Sequence, residues 1–267
     1  NGLGQATTPA NRDSPWKGPG ALSGLYPGPM EPLGDGGFLV RLVEKGGAVP
    51  ASGSYRPRSG ALVVSQDISL IDTLMFFGGT EQVSVDAPWG PFAVTPPGAK
   101  RTHVVHRGNP PRICIGTQEE PEVLCFGVDG GRTAFRWVSE PLSLTDDDMA
   151  AWREETLGLL DLKLGRDQIL DLLDQVPVTA FRPPYSRILL DPLGNLWVER
   201  CPTQGEHGQS TDFLVFDGQG VLLGAVPFPP IQVLEVGQEH VMGIYQDELE
   251  IQSVRAYQLR KPPAGRD

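Results

Sequence analysis

Four stretches of this chain repeat one device, a turn rich in Asp and Gly that feeds an apolar run. They read "GDGGFLV" at 34–40, "DGGRTAF" at 129–135, "DPLGNLW" at 191–197 and "DGQGVLL" at 217–223. Asp suits the first position of a turn, and Gly suits the late position that requires positive φ, so D-x-x-G is turn chemistry. A chain punctuated in this way folds as hairpins. The recurrence is also a repeat signal, although a degenerate one.

The runs between the turns are short and rich in β-formers. "GDGGFLVRLVEK", "GALVVSQD", "LIDTLMFFGG" and "EQVSVDA" come first, followed after a Pro-rich joint by "RTHVVHR", "RICIG", "EVLCFGV" and "RTAFRWV". Strands at this spacing with polar turns predict an all-β meander. The segment 189–226 places four antiparallel strands in succession, with "DPLGN" and "DGQG" as the hairpin turns. Four strands in such a segment are the content of one propeller blade. "VLEVGQE", "HVMGIYQDE" and "SVRAYQLRK" supply three more, with "QDELE" as a turn.

One interruption is helical, near 145–176. "SLTDDDMAAWREETLGLLDLKLG" offers Thr145 as N-cap with Asp148 three residues on, a variant of the capping box. Asp146, Asp147 and Asp148 fall in the first turn, where carboxylates complement the helix dipole, so the triplet reads as a cap before it reads as a metal site. Met149, Trp152, Thr156 and Leu160 form the expected buried stripe. "RDQILDLLDQV" predicts a second short helix that ends before Pro177. Residues 1–32 have no apolar period and are crowded with Gly and Pro, which predicts an extended arm ahead of a β domain over 33–267. Trp16, Leu22, Leu25 and Tyr26 are its candidate contacts with a partner.

Composition narrows the function classes. The chain has 33 acidic and 22 basic residues for a net charge of −11, and no Lys/Arg cluster offers the basic surface that nucleic acid requires. No apolar run approaches the roughly 18 residues that span a bilayer. The chain opens on "NGLGQATTPANRDS" rather than Met, which is expected of a processed, exported protein or of a fragment.

Of three cysteines, Cys114 and Cys125 share "RICIGTQEEPEVLCF". With Glu119 and Glu120 as a two-residue loop, the two cysteines oppose one another. Directly opposed residues can carry a disulfide, and two unpaired core thiols is the other reading that stays open. Cys201 has no partner to name.

Catalytic constellations are sparse. His103 and His106 lie three apart in a strand and point to opposite faces, which does not suit two ligands of one metal. His207 and His240 have no companion ligands. No G-x-S-x-G elbow is present, and neither "GLGQAT" nor "GDGGF" follows a strand and opens a helix. The expectation is no catalytic, metal or cofactor-binding residue, and no cofactor.

The segments "PPYSRILLDPLGNLWVER", "FLVFDGQGVLLGAVPFP" and "VLEVGQEHVMGIYQDELEIQSVRAYQLRK", with a fainter echo in "PEVLCFGVDGGRTAFRWVSEPLSLTDDDMAAW", resemble the bacterial predicted six-bladed β-propeller proteins, relatives of NHL-type propellers. The resemblance implies a propeller fold and an exported, extracytoplasmic protein. Counted back from the C-terminus, blades fall near 231–260, 185–228, 99–139 and 33–87, about four rather than six. The expectation is therefore a propeller-like, open or shortened stack whose exposed ends a protein partner covers. Such a chain would be a scaffold or accessory subunit, peripheral for instance to a photosynthetic or respiratory membrane complex. Two alternatives accompany it. One is a calcium-dependent hydrolase or lactonase with Asn195, Glu199 and Asp212 gathered at the channel. The other is a small-ligand or sugar-binding module with Trp197 as platform.

Overall fold

A computed structural model describes residues 24–44, 50, 53–67, 71–87, 90–127, 130–159, 165–201 and 212–259. Trp16, Leu22, Leu160 and His207 lie outside the described residues. Among those described, the strands form five antiparallel sheets.

The first sheet has the order β1-β2-β4-β5, from β1 (Leu25–Pro32), β2 (Phe38–Glu44), β4 (Arg58–Val64) and β5 (Ile71–Gly78). A small second sheet joins β3 (Gly53–Tyr55), β6 (Gln82–Ala87) and β7 (Gly90–Val94). The third runs β8 (His103–Arg107), β9 (Arg112–Gly116), β10 (Glu122–Phe126), β11 (Arg132–Arg136), each strand beside the next. The fourth does the same with β12 (Arg187–Leu190), β13 (Leu196–Glu199), β14 (Asp212–Phe216) and β15 (Leu222–Pro227). The last contains β16 (Gln232–Val236), β17 (His240–Gln246) and β18 (Gln252–Gln258). The chain is all-β with two helices inserted between β11 and β12.

Two expectations require correction. The N-terminal boundary moves, because Leu25–Pro32 is a strand paired with β2 and Leu25 is only 5% exposed, a core residue rather than a partner contact. Tyr26 is half-buried in the same strand. The region 33–87 is also not one blade. Its last strand, β6, leaves to pair with β3 and with β7, a strand that the Pro-rich joint concealed.

Five hairpin turns share one pair of closing hydrogen bonds. At 33–37, 127–131, 191–195, 217–221 and 247–251 the first amide donates to the fifth carbonyl and the fourth amide donates to the first carbonyl, all at 2.8–3.2 Å. These are the bonds expected of a type I turn closed by a residue of positive φ. Gly36, Gly130, Gly194 and Gly220 hold that fourth place at φ 77–92°, and Glu250 holds it at 62°. Where Asp leads the turn, one carboxylate oxygen takes two further amides. Asp217 accepts from Gln219 and Val221, and Asp247 from Leu249 and Ile251. The "GDGG" stretch is out of phase with this pattern: its turn begins at Leu33, and Asp35 sits third.

The four larger units pack face to face in chain order. Leu39, Ala61, Val104, Ile113 and Ile115 join the first sheet to the third. Cys114, Val123, Cys125 and Phe135 meet Ile188, Leu196, Val198 and Phe216 of the fourth. Trp197, Phe213 and Val215 then meet Val233, Val236 and Val241 of the last. Leu196 and Val198 point one way and Trp197 the other, the period-2 alternation of a sheet buried on both faces.

Arginines pin each junction. Arg41 donates to Val104 O at 3.1 Å, and Arg56 to Thr117 O at 3.1 Å. Arg112 spans to Gly194 O and Gly218 O at 3.3 and 2.8 Å, and Arg187 to Val233 O at 2.5 Å. Bonds from a charged donor of this kind contribute about 1.5–3 kcal/mol each.

The helices are α1 (Asp146–Leu159) and α2 (Arg166–Leu173). Thr145 caps α1 reciprocally: its Oγ1 accepts from Asp148 N, and Asp148 Oδ2 accepts from Thr145 N. Ile169, Leu172, Leu173 and Val176 bury against Val83, Val85, Ala87 and Val94 of the small sheet. The α1 stripe of Met149, Trp152 and Thr156 is half-buried, because α2 rather than α1 supplies the buried residues of this contact.

Candidate functional site

The helices leave an open cleft of about 520 Å³ beside the large sheets. Thr95–Ala99 after β7, the Asp148–Thr156 face of α1, Arg182–Ser186 before β12 and Cys201 after β13 enclose it. Arg182 and Asp148 form a two-pronged ion pair on its wall, with side chains 8% and 10% exposed. Trp152 Nε1 donates to Thr95 O at 2.9 Å and fixes α1 to the opposite lip. The Arg101 and Glu155 side chains border the cleft at exposed positions.

Gln118 forms the inner end of the cleft. It is 1% exposed, and its backbone lies at φ 59°. Its amide donates to Tyr185 Oη at 3.0 Å, its Nε2 to Tyr185 O at 2.6 Å, and its Oε1 accepts from Arg101 N at 2.5 Å. Gln118 Nε2 also lies 3.2 Å from His103 Nε2. Burial, with the Arg101 and Arg187 charges adding to it, pushes the His103 imidazole down to about 4. A ring of this kind is neutral at pH 7 and serves as an acceptor.

Cys201 also lines the cleft. Burial pushes its thiol up to about 12, and Sγ donates to Pro183 O at 3.2 Å. A thiol so held stays protonated, the opposite of an activated nucleophile.

The structure does not bring Asn195, Glu199 and Asp212 together. Asn195 Nδ2 donates to Asp191 in its turn, Glu199 is engaged by Arg187 and Ser186, and Asp212 lies 3.7 Å from Arg200. Among the described residues no three His, Cys, Asp or Glu side chains form a group that could hold a metal ion. His103 and His106 point apart: His106 Nε2 lies 3.2 Å from Glu31 of β1, on the side away from Gln118. Trp197 is no platform. It is 3% exposed, donates to Asp191 and is enclosed by Phe213 and Phe228.

Cys114 and Cys125 lie directly opposite in the β9–β10 pair with Cα atoms 4.0 Å apart, and a disulfide joins them. No helix among the described residues is long and apolar enough to cross a membrane, which leaves membrane-crossing strands untouched.

A second candidate surface lies on the last sheet, and sequence reasoning did not place it. Val233 and Val241 face the fourth sheet, and Arg255 stacks 3.3 Å over Tyr245. The alternate residues face away. Leu234 and Val254 are 51% and 71% exposed there, and Met242 and Ile244 are half-buried beside them. Period-2 alternation in "VRAYQ" and "HVMGIY" was the available signal.

Compared with protein-family models and with curated protein sequences, the chain matches none.

Proposed function

We propose that this chain is a non-catalytic, extracytoplasmic scaffold of the propeller type that holds another protein on its last sheet. The observation that carries this is the outward face of β16-β17-β18, where Ile244 lies opposite Val254 and exposed Leu234 stands in the bulge of β16 among Gln232 and Glu235, with no further sheet upon it among the described residues. Exposed apolar side chains gathered on one sheet face mark interaction sites. The packing of four sheets in chain order supports a propeller-type arrangement, and the sequence resemblance points the same way. The Cys114–Cys125 disulfide supports an oxidising compartment. An accessory subunit at the periphery of a membrane complex, photosynthetic or respiratory for example, is the role this reading names.

The test is co-purification from the native source with wild-type chain and with Leu234→Lys. The reading expects a partner that Leu234→Lys loses while its melting temperature holds. A wild-type chain that purifies alone would overturn it.

The cleft favours a second reading, a small-ligand module. Its volume falls within the range of ligand sites, and Arg101 and Glu155 offer opposite charges at its border. Thermal-shift screening against amino acids and small carboxylates tests it, with a response lost in Arg101→Ala as the supporting result and no response as the overturning one.

A further inference from the structure

Three of the five sheets have four strands, while β16-β17-β18 has three, so the outer side of β18 is an unpaired edge among the described residues. Two hydrogen bonds fix what that edge offers. Leu259 N donates to Glu239 O at 2.8 Å, and Asp247 N donates to Ile251 O at 3.2 Å. In an antiparallel pair bonded and non-bonded positions alternate, so the odd-numbered residues of β18 exchange bonds with β17. Gln252, Val254, Ala256 and Gln258 therefore turn their N–H and C=O groups outwards. The strand carries few of the devices that protect edges: it contains no Pro and no Lys, its pairing with β17 runs without a bulge, and its one charge, Arg255, lies over Tyr245 on the inward face.

We propose that this edge pairs with the same edge of a second copy, β18 against β18 about a two-fold axis, joining the two last sheets into one. This rests on the reading of the last sheet as the working surface of the protein and extends it, because the joined sheets present one doubled apolar face.

Geometry, register and charge carry the inference. Every described sheet is antiparallel, and a two-fold axis supplies an antiparallel neighbour. An axis at Val254 opposes Val254 to itself, Gln252 to Ala256 and Ser253 to Arg255, with no like charges facing. It is an outward-bonding register, since all of the opposed even residues are edge donors. Centring on Arg255 would instead oppose two guanidiniums, which is destabilising. The turn at one end of the strand carries Asp247, Glu248 and Glu250. Antiparallel pairing about Val254 keeps the two acidic turns at opposite ends of the joined strands, each beside the uncharged Gln258–Leu259 end of the other copy.

Analytical ultracentrifugation of the full chain from roughly 1 to 200 µM reads the association directly. The wild type is expected to pass reversibly from monomer to dimer. Ala256→Pro removes an edge donor without touching a bond to β17, and it should weaken the dimer at least about tenfold. Val254→Lys opposes two cations at the axis and should do the same by a different route. A wild type monomeric throughout, or both variants associating as wild type does, would overturn the proposal. So would slow hydrogen exchange at the Val254 and Ala256 amides in the dilute monomer, since it would mean that another segment or partner already fills the edge. A partner retained by Ala256→Pro and lost by Leu234→Lys separates this claim from the scaffold reading.

Discussion

Arg107 Nη2 of β8 lies 2.7 Å from Glu235 Oε1 of β16, which ties the first strand of the third sheet to the first strand of the last sheet. The pair reaches past the sheet between them, so the leading strands of three consecutive sheets gather at one side of the stack. A hydrogen bond and the charge of Arg107 hold the Glu235 carboxyl below its ordinary range, opposed by some desolvation. Both side chains are about a third exposed, at 34% and 37%, so solvent screens much of the attraction. A double-mutant cycle with Arg107→Ala and Glu235→Ala, followed by urea denaturation, is expected to give a coupling of at most about 1 kcal/mol. Because the folded carboxyl is the stronger acid, the contribution is present at neutral pH and fades as acid protonates it. A coupling unchanged down to pH 2 would contradict the pairing.

His103 makes stability depend on pH in the window just above that one. The unfolded imidazole takes a proton near 6.5, whereas the buried one resists until about 4. Between those values the unfolded state binds more protons. Stability contributed here is therefore complete above pH 6.5 and falls by roughly 1.4 kcal/mol per pH unit on the way down to about 4. His103→Gln, which keeps a polar side chain beside Gln118, should flatten the slope of unfolding free energy across that window. An unchanged slope would place the sensitive group elsewhere.

The Cys114–Cys125 bridge closes a loop of separation 11, for which the chain-entropy model gives about 3 kcal/mol. Cys114→Ala with Cys125→Ala should lower the unfolding free energy by about that amount, and reductant should then have no further effect. Cys201, its thiol pushed up to about 12 by burial, should resist iodoacetamide in the native state and react once urea unfolds the chain. Labelling followed by mass spectrometry reads both thiol states.

Glu250 occupies the turn position that Gly takes in the four related hairpins, at φ 62°. A side chain in that conformation costs about 1–2 kcal/mol, and Gly brings back part of that as unfolded-state entropy. Glu250→Gly is expected to stabilise the protein by up to about 1 kcal/mol in urea denaturation. A destabilised variant would mean that the Glu250 side chain makes a contact worth more than the strain.

These residues also mark how far the sequence could be read. The turns were legible because Asp and Gly are favoured there, and the opposition of Cys114 and Cys125 followed from hairpin register, which left their oxidation open. The capping box at Thr145 and Asp148 was legible for the same local reason. β1 was hidden because Pro27 and Pro29 interrupt it. The structure tolerates them on an edge strand, paired only with β2 and bulged between Pro27 and Met30. The small sheet was hidden because β3 pairs with β6 rather than with its neighbours in sequence. The cleft depends on Gln118, Arg182 and Cys201, which are distant in the chain and carry no shared pattern. The arginine pins across the sheets were equally invisible, since a long side chain donating to a distant carbonyl leaves no periodicity.

Site-specific photo-cross-linking in native cells tests the scaffold reading most directly. A photoreactive residue replaces Leu234 or Ile244 on the outward face of the last sheet, and Val138, which is 95% exposed elsewhere, serves as the control. The account predicts a discrete protein adduct from the first two positions and none from Val138. No adduct from Leu234 and Ile244, or the same adduct from all three, would contradict it.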